Sequence, residues 1–330
     1  MAGMLRVVSI SLGPSSRDKA VEIELLGRRL MVERIGADGQ IDRFARFLRQ
    51  YDGVADVLCL GGLNLRISWA GVDYPVRQVR MILRDVRATP VVDGSALRAT
   101  LEPLTLDALD DEGIISPTEA RVLMMNALDR YGLARAIGER CAEVIYGDLV
   151  FSFGIPVPVR SLAAMDSWAK MLLPVVTRLP HQWAYATGIH SNRISGGYES
   201  YYDWADMIAG DFSYIRHYMP ERLDAKVILT NTTTAGDIDL LSARGACCVV
   251  TTTPEIEGRT FAMNVTEGVF TALLGRNPDE ISPDDYVSLA RELGWQPRFP
   301  ELQDIVATAW RWHTTHPHGY AGQPPAEVTR

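Results

Sequence analysis

Three apolar runs between residues 205 and 254 each stop abruptly in small polar side chains. They read Ala-Asp-Met-Ile-Ala-Gly-Asp (205–211), Lys-Val-Ile-Leu-Thr-Asn-Thr-Thr-Thr (226–234) and Ala-Cys-Cys-Val-Val-Thr-Thr-Thr-Pro (246–254). A short apolar run without alternation is the habit of a strand buried on both faces, as in a parallel sheet covered by helices. Ligands bind at the carboxyl ends of such strands. The expected fold class is therefore α/β with two lobes, the carboxyl-terminal one a Rossmann-like, mostly parallel sheet flanked by helices.

The rest of the chain fits that outline. At 330 residues it is long for one core, and the expected division is an amino-terminal α/β lobe at 1–105, a Rossmann-like lobe at 106–312 and a flexible tail at 313–330. In the first lobe, 5–12 reads as a strand, 20–26 and 29–35 as a hairpin about Gly27, 41–51 as an amphipathic helix and 54–60 as a buried strand. A helix at 76–86 and a strand at 89–92 follow, with the acidic stretch 107–112 as a linker. Ser116, Pro117 and Glu119 carry a helix-start signature, which predicts a helix to about residue 131 and a second over 133–142. Residues 143–153 read as strand, and 162–177, 212–218, 237–243, 265–274 and 282–293 as helices.

Charge and motif content exclude several function classes. A net charge of −8 argues against nucleic-acid binding, which needs a basic face. No run is long enough to span a bilayer and no signal peptide opens the chain, so a cytoplasmic protein without membrane attachment is expected. The four cysteines (Cys59, Cys141, Cys247 and Cys248) form no CxxC pair and read as core thiols. No zinc-ligand spacing, P-loop or GxSxG is present, and His313, His316 and His318 resemble a metal cluster only in composition, so no metal is expected. A small molecule is the expected partner, with self-association open.

The site candidates follow from the polar strand ends. Asn231, Thr232, Thr233, Thr234 and Asp237 lie between a strand and a helix start, where free amides and hydroxyls suit a phosphate, carboxylate or ribose. Capping of that helix by Thr234 is the simpler alternative. Thr251, Thr252 and Thr253 end the next strand in the same way, and Arg259 is a candidate anion clamp. Asp211, at the tip of the first strand, is either a helix cap or an acid for ribose binding or proton transfer. Lys170 follows Asp166 by one turn, as a surface ion pair or a catalytic amine. The polar, aromatic and glycine-bearing stretch 181–202 reads as a loop containing His190, the first general acid/base candidate, and Tyr201.

Asp206-Met-Ile-Ala-Gly-Asp-Phe, Leu229-Thr-Asn-Thr-Thr-Thr, Val250-Thr-Thr-Thr-Pro and Gly258-Arg-Thr-Phe-Ala-Met-Asn-Val-Thr-Glu resemble bacterial quinate 5-dehydrogenase-like proteins, of the shikimate/quinate dehydrogenase kind. Val8-Ser-Ile-Ser-Leu-Gly, Leu60-Gly-Gly-Leu-Asn-Leu and Thr89-Pro-Val-Val-Asp-Gly-Ser resemble the same group, so the likeness spans most of the chain. It implies an NAD(P)-dependent oxidoreductase acting on a small hydroxylated or carboxylated metabolite. NAD or NADP would lie on Asn231, Thr232, Thr233, Thr234, Asp237, Thr251, Thr252 and Thr253, with Arg259 and Asn264. His190, Lys170, Asp211 and Tyr201 would serve the chemistry. The chain carries no GxGxxG turn between a strand and a helix. The alternative is therefore a non-redox lyase, isomerase or transferase binding an anionic small molecule at the same sheet edge.

Overall fold

The computed structural model describes residues 3–180, 198–231, 233–253, 255–256 and 259–294. The first lobe is built from β1 (Leu5–Ser11), β2 (Lys19–Leu25), β3 (Arg28–Gly36), α1 (Ile41–Tyr51), β4 (Val57–Gly61), β5 (Arg66–Trp69), β6 (Val72–Pro75), α2 (Arg77–Ile82) and β7 (Val91–Val92). Its sheet runs β2-β3-β1-β4-β7, parallel except for the edge strand β2. The β2–β3 turn places Leu26 and Gly27 at positive φ, the two-residue geometry that suits the twist of a hairpin. The expected helix at 41–51 is α1, which buries Phe44 and Leu48 against the sheet.

The long helix α3 (Ser95–Asp111) leaves this lobe and enters the second. Leu97 and Leu101 belong to the first core, Leu106 and Leu109 to the second. The acidic stretch 107–112 is thus mostly the last turn of a helix and not a linker. Its charges are the outer face of a segment whose inner face is apolar.

The second lobe follows as β8 (Arg121–Met124), α4 (Tyr131–Arg140), β9 (Glu143–Tyr146), α5 (Leu162–Val176), α6 (Glu199–Trp204), β10 (Met207–Gly210), α7 (Phe212–Tyr218), β11 (Val227–Thr230), α8 (Ala235–Ala243) and β12 (Cys248–Thr251). All five strands pair in parallel, in the order β9-β8-β10-β11-β12. Counted along the chain this is 2-1-3-4-5, a doubly wound sheet. The three apolar runs between residues 205 and 254 contain β10, β11 and β12, side by side in this sheet.

The helix expected from Ser116 to about residue 131 is a correction. Ser116 precedes a single tight turn, Pro117–Glu119, and the chain then enters the sheet as β8. A run as short as Val122-Leu123-Met124 does not separate strand from helix by periodicity. Burial on both faces of the sheet decides for the strand.

A short ladder, β13 (Glu255–Ile256) with β14 (Arg259–Thr260), leads to α9 (Met263–Leu274) and α10 (Pro283–Glu292). These helices do not stay with the second lobe, as a 106–312 division would have it. Met263, Val265, Val269 and Phe270 of α9 join the core beneath β1 and β4, and α10 packs on α3. The chain therefore crosses between lobes twice. Sequence order hid the return, because an apolar helix face does not say which sheet it covers.

Candidate functional site

In a 2-1-3-4-5 sheet the ligand crevice opens where the winding reverses, here between the carboxyl ends of β8 and β10. A cleft lies at that place. Asn126 and Asp129 after β8, Asp148 after β9 and Tyr214 of α7 line it from the second lobe. Leu63 and Asn64, just after β4, line it from the first. The end of α5 contributes Leu173, Val176 and Thr177 as a largely apolar wall. The β5–β6 hairpin closes one flank: buried Trp69 donates its indole N–H to Asp166 of α5 at 2.9 Å and meets Tyr131 edge-on.

Asp148 is the most perturbed carboxyl of the cleft. It is 2% exposed. The Ala127 N–H donates to both its oxygens, at 3.0 and 2.9 Å, and the Leu128 N–H donates to Oδ1 at 3.0 Å. Burial raises its pKa to about 7, against the lowering effect of those N–H groups and with a further raise from Asp129. A carboxylate offers about four acceptor positions, so the turn leaves it capacity for a ligand.

Beside it stands a buried ionic cluster. Arg130 pairs with Glu102 of α3, both about 1% exposed at the side chain, and donates from Nη2 to Asp211 at 3.1 Å. Asp211 also accepts Asn231 Nδ2 at 2.7 Å and the Ser213 N–H at 2.9 Å. Burial opposes its ionisation, but Arg130, Ser213 and Asn231 prevail and hold the carboxyl below its ordinary range. The Asp211 N–H donates to Asn126 Oδ1 at 2.8 Å, and Asn126 Nδ2 donates to Asp129 at 2.8 Å. Gly210 is required here: its φ is +140° and a Cβ would lie 2.7 Å from Asn126 Oδ1.

The structure brings Asp211 and Asn231 together and places the other sequence candidates elsewhere. Asp211 caps α7 and also joins the cluster. Thr234 and Asp237 close a reciprocal capping box on α8, with Asp237 also bonded to Arg216. Thr252 and Thr253 are buried, 1% and 4% exposed, which corrects their reading as open ligand donors. Close packing of the sheet edge seals them, whereas Asn231, Thr233 and Thr251 are partly exposed on that rim and Thr234 is exposed. Asn264 opens α9 and donates to Ser9 Oγ at 3.0 Å, in the first lobe. Arg259 lies in β14.

Lys170 is exposed on α5 and pairs with Asp166 at 2.5 Å, the surface ion pair of the two readings. Tyr201 belongs to α6 and not to a loop, with its ring 6.1 Å from Phe151. His190, Thr232 and the segment 313–330 lie outside the described residues. Among the described residues no group of three His, Cys, Asp or Glu side chains could hold a metal, and no helix is long and apolar enough to cross a membrane. Of the cysteines, Cys59 and Cys248 are buried and Cys247 is exposed.

Asp148, Arg130, Asn126 and Glu102 escaped sequence reasoning. The signal existed: Met-Met-Asn-Ala-Leu-Asp-Arg (124–130) is a fourth apolar run ending in polar groups. Reading residues 116–131 as one helix concealed it.

A dinucleotide needs free N–H groups in the turn after the first strand and an acid about 20 residues on for the ribose. Asp148 ends the second strand, where that acid belongs, yet its carboxylate occupies the N–H groups of Ala127 and Leu128. The first turn of α4 is covered as well, since a Cβ on Gly132 would lie 2.7 Å from the Ala99 carbonyl of α3. The β8–α4 turn therefore does not fit a pyrophosphate.

Comparison with known proteins gives a family. A model described as Domain of unknown function (DUF8754) matches residues 96–302. The chain belongs to that family. A second model, Domain of unknown function (DUF8753), matches residues 6–93. The DUF8754 match covers α3, the whole second sheet and the returning helices α9 and α10, so it includes the second-lobe wall of the cleft and both crossings.

Shorter likenesses are found among curated proteins. The UDP-glucose 4-epimerase of Lactobacillus helveticus is 41% identical over 46 residues, 14% of this chain and 14% of that protein. That of Halalkalibacterium halodurans is 55% identical over 29 residues, 9% of each. The chain spans about a seventh of the former's length and less of the latter's. Among solved structures, the NAD-dependent malic enzyme of Thermotoga maritima has a TM-score of 0.34 at 10% identity, over 88% of this chain and 84% of that one. L-tryptophan dehydrogenase of Nostoc punctiforme gives 0.35 at 10%, over 95% and 87%. The periplasmic arabinose-binding component of a Shewanella sp. ANA-3 transporter gives 0.38 at 10%, over 96% and 100%.

Proposed function

We propose that this protein is an enzyme of small-molecule metabolism that holds a small hydroxylated or carboxylated metabolite in the interlobe cleft and moves a proton at Asp148. The carrying observation is a buried carboxyl at the switch point whose pKa is raised to about 7. An acid or base is most effective when its pKa lies near the working pH. The described lining contains no Lys, Arg or His; its polar side chains are the amides and carboxyls of Asn64, Asn126, Asp129 and Asp148 and the hydroxyls of Ser152, Thr177 and Tyr214. That set favours a ligand that donates hydroxyl hydrogen bonds. A lyase, isomerase or transferase fits this chemistry directly.

A second reading is an NAD(P)-dependent oxidoreductase of the quinate/shikimate dehydrogenase-like kind. The 2-1-3-4-5 sheet, the acid at the end of its second strand and the resemblance of the strand-end motifs support it. Calorimetry with NAD⁺ and NADP⁺ separates the two, since the first reading expects no binding.

The first reading is tested with a thermal-shift panel of hydroxylated ring acids and polyols, quinate and shikimate included, followed by turnover of whichever binds. Asp148→Asn is expected to keep the thermal shift and lower turnover at least about a hundredfold. Full turnover in that variant would remove Asp148 from the chemistry.

A further inference from the structure

We propose that Asp148 is a built-in anion: its carboxylate fills the seat that a doubly wound sheet otherwise offers to a ligand phosphate, so the cleft takes unphosphorylated ligands. The inference deepens the cleft reading and rests on it only for the identity of the ligand site. It does not depend on proton transfer.

Three observations carry it. The N–H groups of Ala127 and Leu128 are the donors that the turn after β8 would lend to an anion, and both already donate to Asp148, one of them to both oxygens. The cation beside this turn is also spent, because Arg130 lies between Glu102 and Asp211. Finally, Asp148 is fastened from behind. The chain after it forms a tight turn in which the Phe151 N–H bonds the Gly147 carbonyl and the Phe153 N–H bonds the Asp148 carbonyl. Phe151 is buried among Tyr198, Tyr202 and Tyr218, and the Tyr218 hydroxyl donates to its carbonyl at 2.7 Å. Withdrawing Asp148 from the seat would require this aromatic anchor to move.

The arrangement also accounts for the missing glycines. A glycine-rich turn lets a pyrophosphate approach the backbone closely. Here the anion arrives on a side chain of the same protein, and Asn-Ala-Leu-Asp-Arg (126–130) serves.

The test uses the full chain at about pH 8.5, above the Asp148 pKa of about 7, with inorganic pyrophosphate as the probe. Calorimetry is expected to detect no binding to the wild type. Asp148→Ala, which frees both N–H groups, is expected to bind pyrophosphate at least about tenfold more tightly than the wild type and to gain thermal stability with it. Asp148→Asn keeps an acceptor oxygen on the turn and should remain closed. Pyrophosphate binding by the wild type as tight as by Asp148→Ala, or no gain in Asp148→Ala, overturns the proposal.

If Asp148→Ala does not fold, the wild-type amide resonances decide. Those of Ala127 and Leu128 should titrate together with Asp148 and stay unmoved by pyrophosphate; movement on adding it sinks the idea. Wild-type binding of pyrophosphate alongside lost turnover in Asp148→Asn would overturn this inference and leave the acid–base reading standing. The converse pair of results would do the opposite.

Discussion

Arg130 and Asp211 meet at 3.1 Å, and this contact ties the rim of the second sheet to the helix that joins the lobes. Arg130 reaches Asp211 at the tip of β10 with one nitrogen and Glu102 of α3 with another. The same guanidinium thus fixes one wall of the cleft relative to the interlobe connection. Glu102 Oε2 and Arg130 Nε have no partner among the described residues, so the cluster is already short of hydrogen bonds before any substitution.

Arg130→Ala should destabilise the protein by about 3–5 kcal/mol, since it strands the Glu102 carboxyl in the core. Replacing the buried pair together, as Glu102→Leu with Arg130→Met, should cost clearly less than the two single changes added. Urea unfolding with an unchanged m-value measures both. Equal or additive losses would show that the pair is not coupled.

Gly210→Ala should cost about 1–3 kcal/mol, because its Cβ would crowd Asn126 Oδ1 at 2.7 Å from a backbone that L residues rarely adopt. Displacing Asn126 also breaks its bond to the Asp211 N–H. Ligand-induced thermal shifts should shrink with stability. A variant as stable as the wild type would mean that the rim is more pliable than its geometry implies.

Stability should fall as pH rises from about 4 to 7. In that window the folded protein keeps a proton on Asp148, ordinarily lost near 3.8 and here near 7, that the unfolded chain has already released. Glu267, raised to about 8 by burial and by Asp93, extends the same slope upward. Each contributes up to about 1.4 kcal/mol per pH unit. Asp211 acts in the opposite sense: its contribution is present at neutral pH and is lost as pH falls through its lowered pKa. Asp148→Asn with Glu267→Gln should flatten the curve between pH 5 and 7 in urea unfolding. Parallel curves would refute the assignment.

Lys170→Ala should change stability by less than about 1 kcal/mol, and less still in high salt. The amine is 63% exposed, and such helix pairs contribute little. A thermal melt at two salt concentrations checks it.

Much of the fold was legible because it is local. The period of Ile41–Tyr51 gave α1, and the Leu26-Gly27 turn with its flanking runs gave the β2–β3 hairpin. The Ser282–Asp285 capping box, read from Ser-Pro-Asp-Asp, starts α10 where expected. The β8 strand was lost because a convincing cap signature stands just before a run too short to show a period. Near the cleft, Asp211 and Asn231 were legible as polar strand-end groups, since they follow runs that the sequence marks plainly.

The sequence by itself determined that this chain forms parallel strands with polar carboxyl ends, because burial on both faces dictates composition run by run. Only the tertiary structure decided which polar ends form a site. Asp148 meets Ala127 from 21 residues further along the chain, and α9 returns to β1 and β4, more than 200 residues earlier. Such contacts depend on strand order and on the path between lobes. The pKa of Asp148 depends on them too, because it is set by the solvent that the surrounding elements exclude.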